Sequence, residues 1–281
     1  MKIAVITDSA SNLTKKYVDA TKNLDMLSLL ISIDGKFYRD QVEIDTETVY
    51  KRLFETNVTT SLPNMEDFTK SVEKFKAEGY TDILVISISS NLSGTYNAFR
   101  LAADDVKDIN VHLYDTKTLS MAEGYLVEEA IELIKKNTPI DKILKQLDEL
   151  RFKNSIAMYT VETLKWLKKG GRIGLVEGTI GEILHVKPVI SVNDDGVYYT
   201  ISKGFGIQRA LITMRRTLAE FFGKDLIEVT IHYGNNLELA HKVEEKLMTE
   251  LNISKISLTP LTPVLGVHTG PGIIAMIGRR V

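Results

Sequence analysis

The sequence contains no cysteine, which excludes disulfides, thiolate nucleophiles and cysteine-ligated metals together. No apolar run approaches the roughly 20 residues that a membrane-spanning helix needs. The apolar start, Met1 to Asp8, is too short for a signal peptide and is closed by Asp8. It reads as a first strand, and the expected compartment is cytoplasmic. Neither sign of charge dominates. The 35 Lys and Arg against 37 Asp and Glu leave a formal net charge of −2, unlike the basic balance of a non-specific nucleic-acid binder. Familiar catalytic signatures are missing too. There is no Gly-x-x-x-x-Gly-Lys-Ser/Thr, no Gly-x-Gly-x-x-Gly after the first strand, no Gly-x-Ser-x-Gly around Ser93 and no His-Glu-x-x-His. No other His/carboxylate cluster has metal-ligand spacing.

What is present describes an ordinary globular chain. Its 281 residues, 44% hydrophobic and 26% charged, suffice for two domains or one large one. The first half alternates strand and helix signals: strands at 2–7, 26–33, 82–88 and 109–114, helices near 14–21, 46–55, 64–78, 93–105 and 118–136. In the helix capped by Asn64, Phe68, Val72 and Phe75 share one face, and Gly79 stops it. Thr138-Pro139 opens a further helix striped by Ile140, Ile143, Leu144, Leu147 and Leu150. Such βαβ units predict a mainly parallel, Rossmann-like sheet with ligands at the strands' carboxyl ends. Beyond about residue 153 the rhythm changes. A strand at 155–159 and a short helix at 161–169 precede a glycine-spaced stretch (Gly174, Gly178, Gly181). A hairpin then turns at Asp194-Asp195-Gly196, followed by helices at 206–222 and 237–250 and strands at 226–232, 253–258 and 273–277. The fold expected is α/β in two domains, 1–153 with the parallel sheet and a smaller 154–281 with a mixed or antiparallel one, the ligand lying between them.

The richest stretch is 89–95, SSNLSGT, directly after the apolar run 82–88. A buried strand empties into a turn of hydroxyls (Ser89, Ser90, Ser93, Thr95) and Gly94, and the turn opens a helix. Backbone N–H groups and the positive end of a helix dipole converge there, a seat for a phosphate or carboxylate. The commoner role of Ser and Asn at such a place is simply to cap. Thr60 and Ser61 stand just ahead of the helix capped by Asn64, as a plain turn or as a second pair of donors facing the Ser93 turn. Residues 168–172, KKGGR, end a helix, where cations suit the dipole and glycine stops the chain. The double glycine would also place the Arg172 guanidinium through backbone angles open to glycine alone. Residues 267–272, VHTGPG, read as a loop. His268 within it is the histidine singled out, imidazole being the side chain that titrates near neutral pH. His112, His232 and His241 receive no role, and His185 reads as structural.

Taken in order, Thr7-Asp8-Ser9, Thr60-Ser61-Leu62-Pro63, the 89–95 turn, Asp115-Thr116, Leu167–Arg172, Lys187-Pro188 and His268–Gly272 resemble the DegV family of bacterial fatty-acid-binding proteins, end to end. The resemblance implies a two-domain α/β protein holding one long-chain fatty acid, such as palmitate, between its domains, with no cofactor and no catalysis of its own. It also implies a partner: some members present the acid to a separate fatty acid kinase, which phosphorylates the carboxylate for phospholipid synthesis. Carried over by motif, the carboxylate-binding positions fall on Thr60 and Ser61 and on Ser93 with the following amides of Gly94 and Thr95. The family's last-loop histidine falls on His268. Arg172 and Arg209 are further candidate contacts to ligand or partner. One departure stands out. Many members carry a basic cluster ahead of the second domain's long helix, whereas residues 202–209 here read SKGFGIQR, so kinase docking through that surface is either absent or built differently. Two other readings remain beside the carrier: a Ser–His hydrolase of acyl esters using Ser93 and His268 with Asp8 or Asp115, and a phosphate-ester-binding regulator seated on the same helix ends.

Overall fold

The structure is a computed structural model and describes residues 2–176, 178 and 186–281. Four strands, β1 (Ile3–Asp8), β2 (Leu24–Leu27), β6 (Asp82–Ser87) and β7 (Asn110–Asp115), form an all-parallel sheet in the order β2-β1-β6-β7. Every residue of β1 and β6 is buried, as expected for strands covered on both faces. Ala4, Ile6, Ile83 and Val85 meet Phe68, Val72 and Phe75 of helix α3 (Met65–Ala77) and Phe99 of α4 (Thr95–Ala103). Val5, Leu84 and Ile86 face the opposite way, into the core that holds Leu126 and Ala130 of α5 (Met121–Lys135). The chain leaves β1 on one side to make β2 and returns on the other to make β6. The crevice beyond the ends of β1 and β6 is therefore the switch point at which open α/β sheets bind ligands. Asp8 closes its floor, accepting from the Ala10 amide at 3.0 Å, Ser87 Oγ at 2.9 Å and the Ile88 amide at 3.0 Å. Burial pushes its carboxyl up to about 6 in spite of these bonds.

The apolar run 26–33, expected as one strand, is two. β2 ends at Leu27, and β3 (Leu30–Ile33) enters a separate antiparallel sheet, β4-β3-β5, with β4 (Lys36–Arg39) and β5 (Val58–Ser61). The break lies at Ser28 and Leu29. Ser9 Oγ accepts from the Leu29 amide at 3.1 Å, and Ser28 Oγ donates to the Asp40 carbonyl at 2.9 Å. These are tertiary contacts that an unbroken apolar run cannot disclose. The same small sheet makes Thr60 and Ser61 strand residues rather than a turn. Helix α1 (Lys15–Ala20) lies between β1 and β2, and α2 (Thr46–Glu55) bridges β4 and β5.

The helix expected after Thr138 is α6 (Ile140–Glu149), with Ile143 and Leu147 fully buried and Pro139 at its cap position. From Ser155 onward the strands build a six-stranded sheet: β8 (Ser155–Thr160), β9 (Val186–Val192), β10 (Tyr198–Phe205), β11 (Ile227–Tyr233), β12 (Ile253–Pro260) and β13 (Ile274–Arg280). The order is β10-β9-β8-β13-β11-β12, with β11 and β12 parallel and every other pair antiparallel. Alternation along the strands splits this sheet's faces. Met158, Val189, Ile274 and Met276 pack beneath α8 (Ile207–Phe222) and α9 (Leu237–Glu250). Tyr159, Ile190, Tyr198, Ala275 and Ile277 face the core that the first half also occupies.

Polar bonds hold the halves together over that shared core. Ser89 Oγ donates to the Gly196 carbonyl at 2.9 Å and Asn91 Nδ2 to the Asp195 carbonyl at 2.7 Å. The buried Arg151 guanidinium reaches the carbonyls of Thr116, Lys117 and Asn193. The short helix expected at 161–169 is confined to α7 (Lys165–Lys169). Residues 259–272, expected as a loop, contain a helix, α10 (Pro263–Thr269). Thr262 stands at its cap and Pro263 in its first turn, the favoured place for proline. Asp40 fixes this start from outside the helix, accepting from Thr262 Oγ1 at 2.6 Å and the Val264 amide at 2.9 Å. Gly270, at φ 73°, ends it. Among the described residues no helix is long and apolar enough to cross a membrane.

Candidate functional site

A narrow cavity opens beside the switch point, and four of the polar residues in its lining come from four places in the chain: Thr60, Ser93, Arg172 and His268. Thr60 comes from β5. On a strand, neighbouring side chains point to opposite faces, so Thr60 turns inward with Ile31 while Ser61 is exposed on the outer face. The structure therefore brings Thr60 to the cavity and does not bring the Ser61 side chain there. Ser93 comes from the turn after β6. Its Oγ shares a hydrogen bond of 2.8 Å with Thr95 Oγ1 and accepts from the Thr95 amide at 3.3 Å. The turn thus caps α4 and lines the cavity at once. Of its four hydroxyls only Ser93 reaches the cavity wall. Ser89 is spent on the 193–197 hairpin, Ser90 Oγ accepts from Lys117 Nζ at 3.3 Å, and Thr95 is fully buried beside Ser93. Gly94 and Thr95 sit at the start of α4, whose first amides have no acceptor within the helix.

Arg172 arrives through the double glycine predicted to place it. Its Nε donates to the Leu92 carbonyl at 3.3 Å and its Nη1 to the Gly170 carbonyl at 2.6 Å. Gly171 adopts φ 70°, and a methyl group on Gly170 would stand 2.2 Å from His268 Nδ1. Each glycine is thus required, one by its backbone and one by the imidazole against it. His268 sits in the last turn of α10, not in a loop. Its Nε2 and Thr60 Oγ1 share a hydrogen bond of 2.8 Å, and its Nδ1 has no partner among the described residues. Burial, with the Arg172 charge beside it, holds the imidazole down to about 4 from its ordinary 6.5. His268 is therefore neutral at pH 7. Because the folded value lies below the unfolded one, the neutral ring's contribution to stability is whole above pH 6.5 and is lost as the pH falls toward about 4. In an NMR titration the His268 ring signals are expected to move near pH 4; a midpoint at the ordinary 6.5 would contradict this environment.

Asp40, which no sequence motif singles out, anchors the histidine's helix while fully buried. Its carboxyl is pushed up to about 6 by desolvation. That contribution has the opposite sign: present below the unfolded value of 3.8 and lost as the pH rises through about 6. Arg209 is exposed on α8, which covers the far face of the six-stranded sheet, so the structure does not bring it to the cavity. His185 and Gly181 lie outside the described residues.

Behind the four polar residues the cavity continues into an apolar slot. Leu119, Tyr198, Leu265 and Thr269 belong to both spaces. The slot runs between the halves, with Leu119 and Ser120 on one side and Ala157, Val192, Ala275 and Ile277 of the six-stranded sheet on the other. A polar mouth over a narrow apolar channel suits an amphiphile with one anionic end. None of the slot's lining residues was legible in the sequence as such, since each is an ordinary member of a strand or helix.

Comparison with known proteins gives one answer. The model of the family described as "uncharacterised protein, DegV family" matches residues 2–278. A DegV domain-containing protein of Clostridium acetobutylicum is 37% identical over 280 residues, covering 98% of each chain. A fatty-acid-binding DegV family protein of Thermus thermophilus superposes with a TM-score of 0.92 at 27% identity, over 100% of both chains. A stearic-acid-binding protein of Eubacterium ventriosum superposes at 0.88 with 26% identity, over 99% of this chain and 98% of that one.

Proposed function

Because this chain belongs to the DegV family, we propose that it binds one long-chain fatty acid, such as palmitate, between two domains, 1–153 and 154–281. The carboxylate sits among Thr60, Ser93, Arg172 and His268 with the first amides of α4, and the acyl chain fills the slot behind them. The observation that carries this reading is the convergence of those four residues, from both halves of the chain, on the mouth of a slot with apolar walls. A guanidinium and a helix start favour the ionised acid, and a neutral His268 can donate to it without adding charge. The protein acts as a cytoplasmic carrier without catalysis of its own, presenting the carboxylate to a fatty acid kinase for phospholipid synthesis. Arg209 and the sparse cations of 202–209 bear only on that partner.

The geometry weighs against the hydrolase. A serine nucleophile needs its base within hydrogen-bond reach, whereas His268 is bonded to Thr60 and Ser93 to Thr95. Asp8 and Asp115 are occupied by Ser87 and Lys117 rather than by the imidazole. Native mass spectrometry of the purified protein should reveal a co-purifying fatty acid. Ser93→Ala removes one donor to a charged oxygen and leaves the amides and the whole tail contact. The expected loss is about 1.5–3 kcal/mol, roughly tenfold to somewhat over a hundredfold in Kd, with the fold intact. Unchanged affinity in calorimetry would return the Ser93 turn to being a helix cap alone.

A further inference from the structure

One hydroxyl in the wall of the apolar slot, Ser120 Oγ, has no hydrogen-bond partner among the described residues, and a second, Tyr159 OH, has only the Tyr198 hydroxyl beside it. Both residues are only 7% exposed. Buried hydroxyls are nearly always paired, and an unpaired one loses the hydrogen bonds it made to water. Ser120 is the more telling of the two. It stands at the cap position of α5, where a serine ordinarily accepts from the helix's own amides. Its side chain makes no such bond, because its backbone is held at φ 59° and ψ −154°, a region that residues with side chains rarely adopt. The turn is fixed instead by the Ser120 amide, which donates to the Ala10 carbonyl at 2.7 Å. The serine thus forgoes capping and leaves its hydroxyl in the slot wall. Tyr159 comes from β8 in the other half of the chain, its ring edge-on to Tyr198 at 5.3 Å.

Resting on the fatty-acid reading above, we propose that the slot is built for a long-chain fatty acid bearing an oxygen on its chain, a hydroxyl or keto group recognised by Ser120 and Tyr159. A plain alkyl chain leaves the Ser120 hydroxyl unpaired for as long as it is bound. A chain oxygen accepts from either O–H, and a chain hydroxyl can also donate to one of them. The apolar side chains around the pair, among them Leu261, Ile273 and Ile277, supply the other half of the selection. An oxygen placed elsewhere along the chain is desolvated with nothing to meet it.

The test is calorimetric titration of delipidated protein with stearic acid and with hydroxystearic acids that differ only in the position of the hydroxyl. One position is expected to bind about tenfold tighter than its neighbours, the worth of one well-made hydrogen bond. Ser120→Ala combined with Tyr159→Phe should flatten that positional preference and leave stearate binding as tight as before or tighter. Ser120→Gly, which the left-handed backbone favours, removes the same hydroxyl with relief of strain and stands in if the double variant does not fold. Stearate binding with no positional preference, or a preference that survives these substitutions, overturns this inference alone. Failure of every acid, stearate included, overturns the fatty-acid reading and this inference with it.

Discussion

Laurate is expected to bind about two hundredfold more weakly than palmitate, although the two present the same carboxylate to the same polar mouth. The acids differ by four methylenes, and each methylene moved from water into an apolar slot contributes about 0.8 kcal/mol, so the difference is about 3 kcal/mol. The head group cannot hide this effect, since its few charge-assisted hydrogen bonds are worth about 1.5–3 kcal/mol each and are common to both ligands. The expectation follows from the division between the two linked spaces. Thr60, Ser93, Arg172 and His268 gather at one end, and the residues beyond Leu119 and Tyr198 are mainly apolar. Affinities measured along a series of saturated acids should fall on a line with that slope until the slot is full. A flat series would mean that the acyl chain lies outside the slot, in water or on the surface.

Gly270→Ala is expected to destabilise the protein by about 2–6 kcal/mol, among the larger effects a single methyl group can have. Two terms add. The residue lies at φ 73° and ψ 176°, a region open in practice to glycine alone, where a side chain costs about 1–3 kcal/mol. An added Cβ would stand 2.2 Å from Cδ1 of Trp166, and overpacking of that kind costs about 1–3 kcal/mol. Trp166 has little room to yield, being 2% exposed and in edge-on contact with Phe54. Gly35→Ala serves as the control, because φ there is 80° but nothing lies within 4 Å of the added methyl. Only the backbone term should appear at that position. Urea unfolding of both variants separates strain from clash. Equal losses at the two sites would show that Trp166 does not press on Gly270. Since Gly270 ends the helix that carries His268, the same variant should also weaken fatty-acid binding.

Much of the fold could be read from periodicity. The fully apolar runs at 2–7 and 82–88, the single-faced helix with Phe68, Val72 and Phe75, and the Asp194-Asp195-Gly196 turn are local patterns set by burial and by backbone preference. The structure reproduces them with shifts of a residue or two at the ends. The breaks were not legible. The run 26–33 divides at Leu29 because Ser9, twenty positions earlier in the chain, takes its amide. The stretch 259–272 becomes helical because Asp40 caps it from across the molecule.

The candidate site divides along the same line. By itself the sequence determined the residue types suited to an anion, the double glycine at 170 and 171 that ends a helix ahead of Arg172, and an ordered set of motifs that resembles one family. Those are properties of residue identity and near-neighbour spacing, which a linear chain carries in full. Tertiary structure alone decided that Thr60 faces His268 while Ser61 faces water, that Ser89 belongs to the contact between halves rather than to the site, and that Arg209 lies behind the second sheet. It also decided where the slot runs, and that Ser120 meets it with no hydrogen-bond partner among the described residues. The facing of a side chain depends on sheet register and on what packs across it. Those are set by contacts between residues far apart in the chain, and neither composition nor spacing records them.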